Sequence, residues 1–318
     1  MKRIAVLTSG GDSPGMNAAI RAVVRTSIFN DKECVGVMRG YEGLIDGDYV
    51  PLNRAAVGGI LHRGGTILKT ARSERFKTEE GRKAAIAKMQ EAGIEGLVVI
   101  GGDGSFHGAK LLHEMGMPTI GIPGTIDNDV AGTDETIGFD TAVNTALEAV
   151  MRLRDTASSH DRLFIIEVMG RNAGFLALEV AVAAGAEYVV VPELPLSIGN
   201  LCQKLRASHE IKKSHTLIIL AEGVMTANEM KSKLQDTGGY DARVTVLGYI
   251  QRGGSPTSFD TILASRMGAY ATESLLIGKS GVMVGNTNHR MTLSDLERSW
   301  TEQKFLSPEL LGLVEKLN

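Results

Sequence analysis

Gly101-Gly102-Asp103-Gly104-Ser105 and, about twenty residues on, Pro123-Gly124-Thr125-Ile126-Asp127-Asn128-Asp129 combine a glycine-lined turn with three carboxylates. Those residue types suit phosphoryl transfer. Glycines let backbone N–H groups approach a phosphate, a helix start adds a favourable dipole, and carboxylates hold a cation or accept a proton. The first segment follows Leu97-Val98-Val99-Ile100, an apolar run of strand length, and precedes residues 106–114, which read as a helix. Asp103 at that junction faces a metal rather than the phosphate. Asp127 and Asp129 project to one side of an extended chain, and two like charges together ask for a cation. The same run also suits a turn whose carboxylates cap backbone N–H groups. Its place after residues 119–122 favours a kinase, in which one carboxylate serves Mg2+ and another takes the acceptor's proton.

Ser9-Gly10-Gly11-Asp12-Ser13-Pro14-Gly15, between the apolar residues 4–7 and a helix with a stripe at Ile20, Val23, Val24 and Ile28, is a second candidate cradle. Glycine turns join strand to helix throughout α/β proteins, and neither turn ends in the Gly-Lys-Ser/Thr of a P-loop. Two of them, one followed by the aspartates, favour nucleotide binding. Arg72, Arg162, Arg171, Arg243 and Arg252 are candidate phosphate partners, because a guanidinium is bidentate and permanently charged. Arg171 and Arg252 stand among glycines just after apolar runs. Arg21 and Arg25, four apart, make a solvated face or half of an anion pocket, and spacing alone favours the face. Lys212, Lys213 and His215 read as a solvated charge run. Arg63-Gly64-Gly65-Thr66 and Arg252-Gly253-Gly254-Ser255 echo each other without the sustained period of a repeat.

These turns need a scaffold, and the chain supplies it. Apolar runs at 4–7, 35–38, 97–100, 119–122, 163–168, 188–191, 217–220 and 244–250 alternate with helical spacing, which predicts parallel sheets covered by helices, with ligands at strand C-terminal ends. At 318 residues two domains are expected, although no linker or composition shift marks a boundary. Glycine, 38 residues, is well above the roughly 7% average and implies many tight turns. A net charge of −3 with 5% aromatics argues against a nucleic-acid partner. Two cysteines, Cys34 and Cys202, suit a reducing cytoplasm, and neither a signal peptide nor a membrane span is predicted.

Segments 9–15, 62–66, 70–72, 101–105, 123–129, 169–174, 221–223 and 251–256, in this order, resemble the bacterial ATP-dependent 6-phosphofructokinases, a likeness running from Met1 to at least Gly285. The resemblance implies phosphorylation of fructose 6-phosphate at its 1-hydroxyl by ATP and Mg2+. It assigns the nucleotide to Gly11, Tyr41, Arg72, Gly102, Asp103, Gly104, Ser105 and Gly108, with Asp103 serving Mg2+. Asp127 becomes the general base, with Thr125 and Arg171 steadying the transferring group. Sugar recognition falls to Asp129, Met169, Gly170, Glu222, Tyr249 and Arg252, and Arg162 and Arg243 reach the 6-phosphate from a neighbouring subunit of a homotetramer. Gly104 and Gly124 favour ATP, since pyrophosphate-dependent relatives typically carry aspartate and lysine there. Two similar α/β domains are implied, residues 1–138 plus 251–302 for ATP and 139–250 plus 303–318 for the sugar phosphate. An effector pocket for ADP and phosphoenolpyruvate maps to Arg21, Arg25, Arg54, Arg154, Gly185, Glu187, Lys213 and His215. Ile211 and Ser214, both commonly basic in the family, depart from it and imply blunted regulation, and Tyr249 replaces the usual histidine. A kinase for another sugar phosphate, or a sensor without catalysis, are the alternatives.

Overall fold

Apolar runs bounded by glycine turns become strands, and the amphipathic stretches between them become the helices that cover them. The computed structural model describes residues 1–158, 163–210 and 216–317. In chain order the first elements are β1 (Arg3–Thr8), α1 (Met16–Phe29), β2 (Glu33–Val37), α2 (Gly40–Asp46), β3 (Tyr49–Leu52), α3 (Glu79–Glu91), β4 (Gly96–Gly101), α4 (Asp103–Glu114), β5 (Thr119–Pro123) and α5 (Phe139–Ser158). There follow β6 (Leu163–Val168), α6 (Phe175–Ala184), β7 (Tyr188–Val190), α7 (Ile198–Glu210), β8 (Thr216–Ala221), α8 (Ala227–Gly238) and β9 (Ala242–Val246). The chain ends with α9 (Ser258–Leu276), β10 (Val282–Thr287), β11 (Arg290–Asp295), α10 (Arg298–Thr301) and α11 (Pro308–Lys316).

Two compact units result. The first comprises Met1–Ile126, Val130–Thr141 and Arg252–Lys304; the second comprises Asp127–Asp129, Ala142–Gln251 and Phe305–Asn318. Asp127–Asp129 thus group with the second unit rather than with the stretch before residue 138. The first unit holds a seven-stranded sheet in the order β11-β10-β5-β4-β1-β2-β3, parallel except for β3 and β11, which pair antiparallel at the edges. Both faces are dry, as a parallel sheet requires. Along β4, alternate side chains go to opposite cores. Val98 and Ile100 pack with Ile20, Val23 and Met267 of α1 and α9. Leu97 and Val99 pack with Leu44 and Phe106 of α2 and α4. The second unit holds an all-parallel sheet in the order β7-β8-β6-β9, with Leu205, Met230 and Leu234 of α7 and α8 against Ile165 and Ile218.

Residues 244–250 are not a single strand: β9 ends at Val246, and Gly248–Arg252 form a 3-10 turn that leaves Tyr249 79% and Ile250 56% exposed. Gly248, at φ +54°, takes the chain out of the sheet there. Among the described residues no helix is long and apolar enough to cross a membrane.

Candidate active site

In the first unit, β1 leads on to β2 on one side of the sheet while β4 lies on its other side, so the crevice beyond their C-terminal ends is a switch point of the kind where α/β sheets take ligands. The candidate turns sit there because β5, β4 and β1 are neighbours. Ser9 N–H donates to the Ile100 carbonyl (2.9 Å) and Gly124 N–H to the Gly101 carbonyl (3.0 Å), stitching the three strand ends together. Ser105, buried in the first turn of α4, lies against Gly10: a Cβ on Gly10 would be 3.3 Å from its hydroxyl. Asp103 opens α4, and its Oδ1 accepts the Gly104 N–H at 2.7 Å. A Cβ at position 104 would meet nothing within 4 Å, so the cradle has room beside Asp103.

Tyr41 and Gly108 come together as packing partners. The Tyr41 ring stacks on Phe76 at 4.0 Å, its hydroxyl donates to the Ser105 carbonyl at 2.5 Å, and a Cβ on Gly108 would fall 2.8 Å from the ring. Burial pushes the Tyr41 phenol far above its ordinary pKa, so it acts as a neutral donor. Arg72 is exposed in an irregular segment. Arg252 stands over the 9–15 cradle: its guanidinium would lie 2.9 Å from a Cβ on Gly11. The echoed arginine-glycine turns are neighbours as well, since a Cβ on Gly64 would fall 2.4 Å from the Gly254 carbonyl. The two echoed turns thus approach each other closely through their backbones.

In the second unit the ends of β6, β8 and β9 converge. Glu222 N–H donates to the Val168 carbonyl and Leu247 N–H to that of Glu167, each at 3.0 Å. Glu222 Oε1 accepts the Arg171 N–H at 3.0 Å, and Gln251 Oε1 accepts that of the buried Met169 at 3.3 Å. Arg171 has φ +51°, strained for a residue with a side chain and found most often at functional sites. Its Nε lies 3.4 Å from Asp127 Oδ2, and the Asp127 side chain is only 4% exposed. Asp127 and Asp129 do not project together from an extended strand. Asn128, at φ +53°, is left-handed, so the alternation that the extended reading assumed is broken, and Asp129 stays half-buried. Arg243 is exposed, with Asp241 at 3.3 Å, while Arg162 lies outside the described residues.

The effector candidates form small groups within each unit. Arg25 donates to the Arg54 carbonyl at 3.1 Å, and Arg21 is half-buried on the same helix. Arg154 donates to the Gly185 carbonyl at 2.6 Å. Glu187 is buried, and its carboxylate accepts the Leu217 N–H at 2.8 Å. Ile211, Lys213, Ser214 and His215 lie outside the described residues.

Sequence spacing missed Asn17 and Asp260. Asn17, 1% exposed on α1, donates to the Arg63 carbonyl (2.9 Å) and accepts the Ile67 N–H (2.8 Å), shaping the Arg63 turn. Asp260 reads in sequence as part of the Thr257 cap of α9, whereas its side chain serves another helix.

A glycine cradle at a sheet switch point in one unit and, in the other, a buried carboxylate paired with an arginine are the equipment of an α/β phosphoryl-transfer protein. The chain belongs to the phosphofructokinase family, whose model matches residues 3–275. It is 53% identical over 318 residues to the ATP-dependent 6-phosphofructokinase of Halalkalibacterium halodurans, covering 100% of both chains. It is 55% identical over 320 residues to ATP-dependent 6-phosphofructokinase 1 of Thermus thermophilus, covering 100% of this chain and 99% of the relative. Among solved structures, Pichia pastoris phosphofructokinase in the T-state superposes with a TM-score of 0.89 at 37% identity, over 94% of this chain and 35% of that one. This chain thus spans about a third of the yeast chain's length. A pyrophosphate-dependent phosphofructokinase from Marinobacter aquaeolei, at 21% identity and TM-score 0.85 over 100% of this chain and 91% of that one, shares the fold.

Proposed function

We propose that the chain transfers the γ-phosphoryl group of ATP to the 1-hydroxyl of fructose 6-phosphate, giving fructose 1,6-bisphosphate and ADP. The observation that carries this reading is the buried Asp127 carboxylate held 3.4 Å from the Arg171 guanidinium, two residues beyond Thr125. Asp127 takes the proton of the attacking hydroxyl. Arg171 and the Thr125 hydroxyl balance charge on the group in transit. Gly11 and the 102–105 turn bind the nucleotide phosphates through backbone N–H groups, with Arg72, Tyr41 and Gly108 completing that half. Met169, Gly170, Glu222, Asp129, Tyr249 and Arg252 bind the sugar phosphate.

The cradle fits Mg2+, which takes one or two protein carboxylates and completes its shell with phosphate oxygens and water. Asp103, half-buried beside open space, is the residue that would hold it. The ion would neutralise charge on the phosphates. Gly104 supports ATP over pyrophosphate through charge, since an aspartate there would fit sterically yet oppose the phosphates.

The exposed strip of Arg243, Val246, Tyr249 and Ile250 supports assembly into a homotetramer, in which Arg162 and Arg243 serve a neighbouring site. Arg21, Arg25 and Arg54, with Arg154, Gly185 and Glu187, support an effector pocket for ADP or phosphoenolpyruvate, weakened by Ile211 and Ser214. Two free, buried cysteines are compatible with a cytoplasmic setting.

The test is an assay of fructose 6-phosphate phosphorylation with Mg2+, with ATP and pyrophosphate in parallel, on the wild type and Asp127→Ser. Turnover is expected with ATP alone, falling about 10²–10⁴-fold in the variant, the usual worth of a general base. Turnover with pyrophosphate, or an unaffected variant, would overturn the assignment of donor or base.

A further inference from the structure

Asp260 sits in the first turn of α9 and is 0% exposed, yet its carboxylate points away from its own helix. Its Oδ1 accepts the Gly138 N–H at 2.8 Å; its Oδ2 accepts the Thr141 N–H at 2.8 Å and the Thr141 hydroxyl at 2.5 Å. The N–H groups at a helix start have no partner within the helix, and an anion there is favoured by the dipole. A residue of α9 therefore caps α5.

The segment leading into α5 carries Thr125 and Asp127. Beyond Pro123 it leaves the sheet and returns beside itself: Ile137 N–H donates to the Pro123 carbonyl (3.0 Å), and Gly124 and Ile137 form a parallel bridge. The Thr136 hydroxyl donates to the Thr125 carbonyl at 2.7 Å. Gly138, the next residue but one, is the first held by Asp260. Packing closes on the same point. A Cβ on Gly15 would lie 2.6 Å from Ile137 Cγ2, and one on Gly138 would lie 2.6 Å from Ser13 Cβ, so the returning limb packs closely on the 13–15 turn and a small displacement of it is felt there.

We propose that Asp260 is a positioning residue for phosphoryl transfer, which by capping α5 fixes the returning limb at 136–138 and through it Thr125 and the approach to Asp127. This rests on the kinase reading above. The 102–105 turn does not share the dependence, because β4 and the end of β5 are held by the sheet ladder, whereas the 9–15 turn packs on the limb at Ser13 and Gly15. Loss of the cap therefore falls more on the chemical step, which is sensitive to small misplacements, than on nucleotide affinity. Asparagine at this position keeps one acceptor oxygen and turns a donor toward an N–H that needs an acceptor.

Steady-state kinetics of Asp260→Asn test this beside Ser307→Ala, which removes the cap that α11 takes from Ser307 and belongs to the other unit. The expected result for Asp260→Asn is kcat at least fivefold lower per folded enzyme, with KM for ATP within twofold of wild type. Ser307→Ala is expected to keep wild-type kcat even where its unfolding temperature falls as far. A kcat loss below fivefold, or equal kcat losses in both variants in step with unfolding temperature, would overturn the proposal. Thr141→Val, which removes the hydroxyl that donates to Asp260 and accepts the Thr257 N–H at 3.0 Å, carries the same test if Asp260→Asn does not fold, with a kcat loss of about threefold expected and an unchanged kcat overturning it. A wild type inactive on fructose 6-phosphate would sink the kinase reading itself, whereas an active wild type with unaltered variants would sink this inference alone.

Discussion

At the scale of single residues, the proposed phosphoryl-transfer equipment depends on backbone conformations that an expectation of regular strands does not contain. Asp127 is buried against Arg171 because the chain bends at Asn128 and because Arg171 adopts a left-handed φ of +51° just beyond β6. That conformation is enforced from outside. The Glu222 carboxylate holds the Arg171 N–H, and a Cβ on Gly223 would fall 2.0 Å from the Arg171 carbonyl oxygen, a distance no rotamer change can relieve. Gly223→Ala is therefore expected to displace the 170–172 turn, lowering stability by about 1–3 kcal/mol as overpacking does and reducing kcat more than KM for ATP. Thermal unfolding together with steady-state kinetics checks this, and a variant matching wild type in both would show that the turn relaxes freely. Arg171 was legible as a site candidate because it stands among glycines after an apolar run, and Met169, Gly170 and Glu222 through the family resemblance. Their mutual contact was not, because it joins residues 51 apart in the chain.

At the scale of elements, the parallel strands were legible because burial on both faces writes a strand as an unbroken apolar run, and β1, β4, β5, β6 and β8 all carry one. The antiparallel edge strands β3 and β11, and β10 between β5 and β11, were not. β3 contains Pro51, which reads as a breaker and is tolerated because the strand pairs on one side only, with β2. β11 is half-buried along its middle with exposed ends, so no unbroken apolar run marks it, and it pairs with β10 across the tight Asn288-His289 turn, whose two residues both have positive φ. Helix α9 shows most clearly what spacing cannot reveal. Thr257-Ser258-Phe259-Asp260 looks like a local cap, and Thr257 does accept the Asp260 N–H, but the Asp260 carboxylate caps α5 instead. Burial raises that carboxyl from its ordinary 3.8 to about 6, opposed by hydrogen bonds from Thr141 and Gly138 and reinforced by the Asp140 charge. A carboxyl whose folded pKa lies above its unfolded value contributes stability that is full below pH 3.8 and is lost as pH rises through about 6. The stability of wild type relative to Asp260→Asn should therefore decline between pH 4 and pH 7, by on the order of 3 kcal/mol. Urea unfolding midpoints of both proteins across that range measure it, and a gap that stays constant with pH would mean that Asp260 does not titrate there.

At the scale of the whole molecule, the chain supplies each unit with its own part of the chemistry, and the proposed homotetramer adds a requirement that no single chain meets. Arg243, Val246, Tyr249 and Ile250 are each exposed on the second unit, and apolar side chains at such exposure ask for a cover. If that cover is a second copy and Arg243 serves the copy's sugar phosphate, each site draws its base from one chain and its arginine from another. The consequence is specific to symmetric assemblies. Asp127→Ser subunits and Arg243→Ser subunits, each nearly inactive alone, complement each other when mixed, because a site is intact wherever an Arg243→Ser chain supplies Asp127 and its neighbour, an Asp127→Ser chain, supplies Arg243. With random exchange at equal amounts, half the sites have the first property and half of those the second, so about one quarter of wild-type specific activity should return. Unfolding and refolding the two variants together, against each refolded alone, provides the measurement. Recovery near one quarter places Arg243 in trans, whereas a mixture no more active than the mean of its components places it in the same chain's site or outside the site altogether, and the exposed strip then has no catalytic part in assembly.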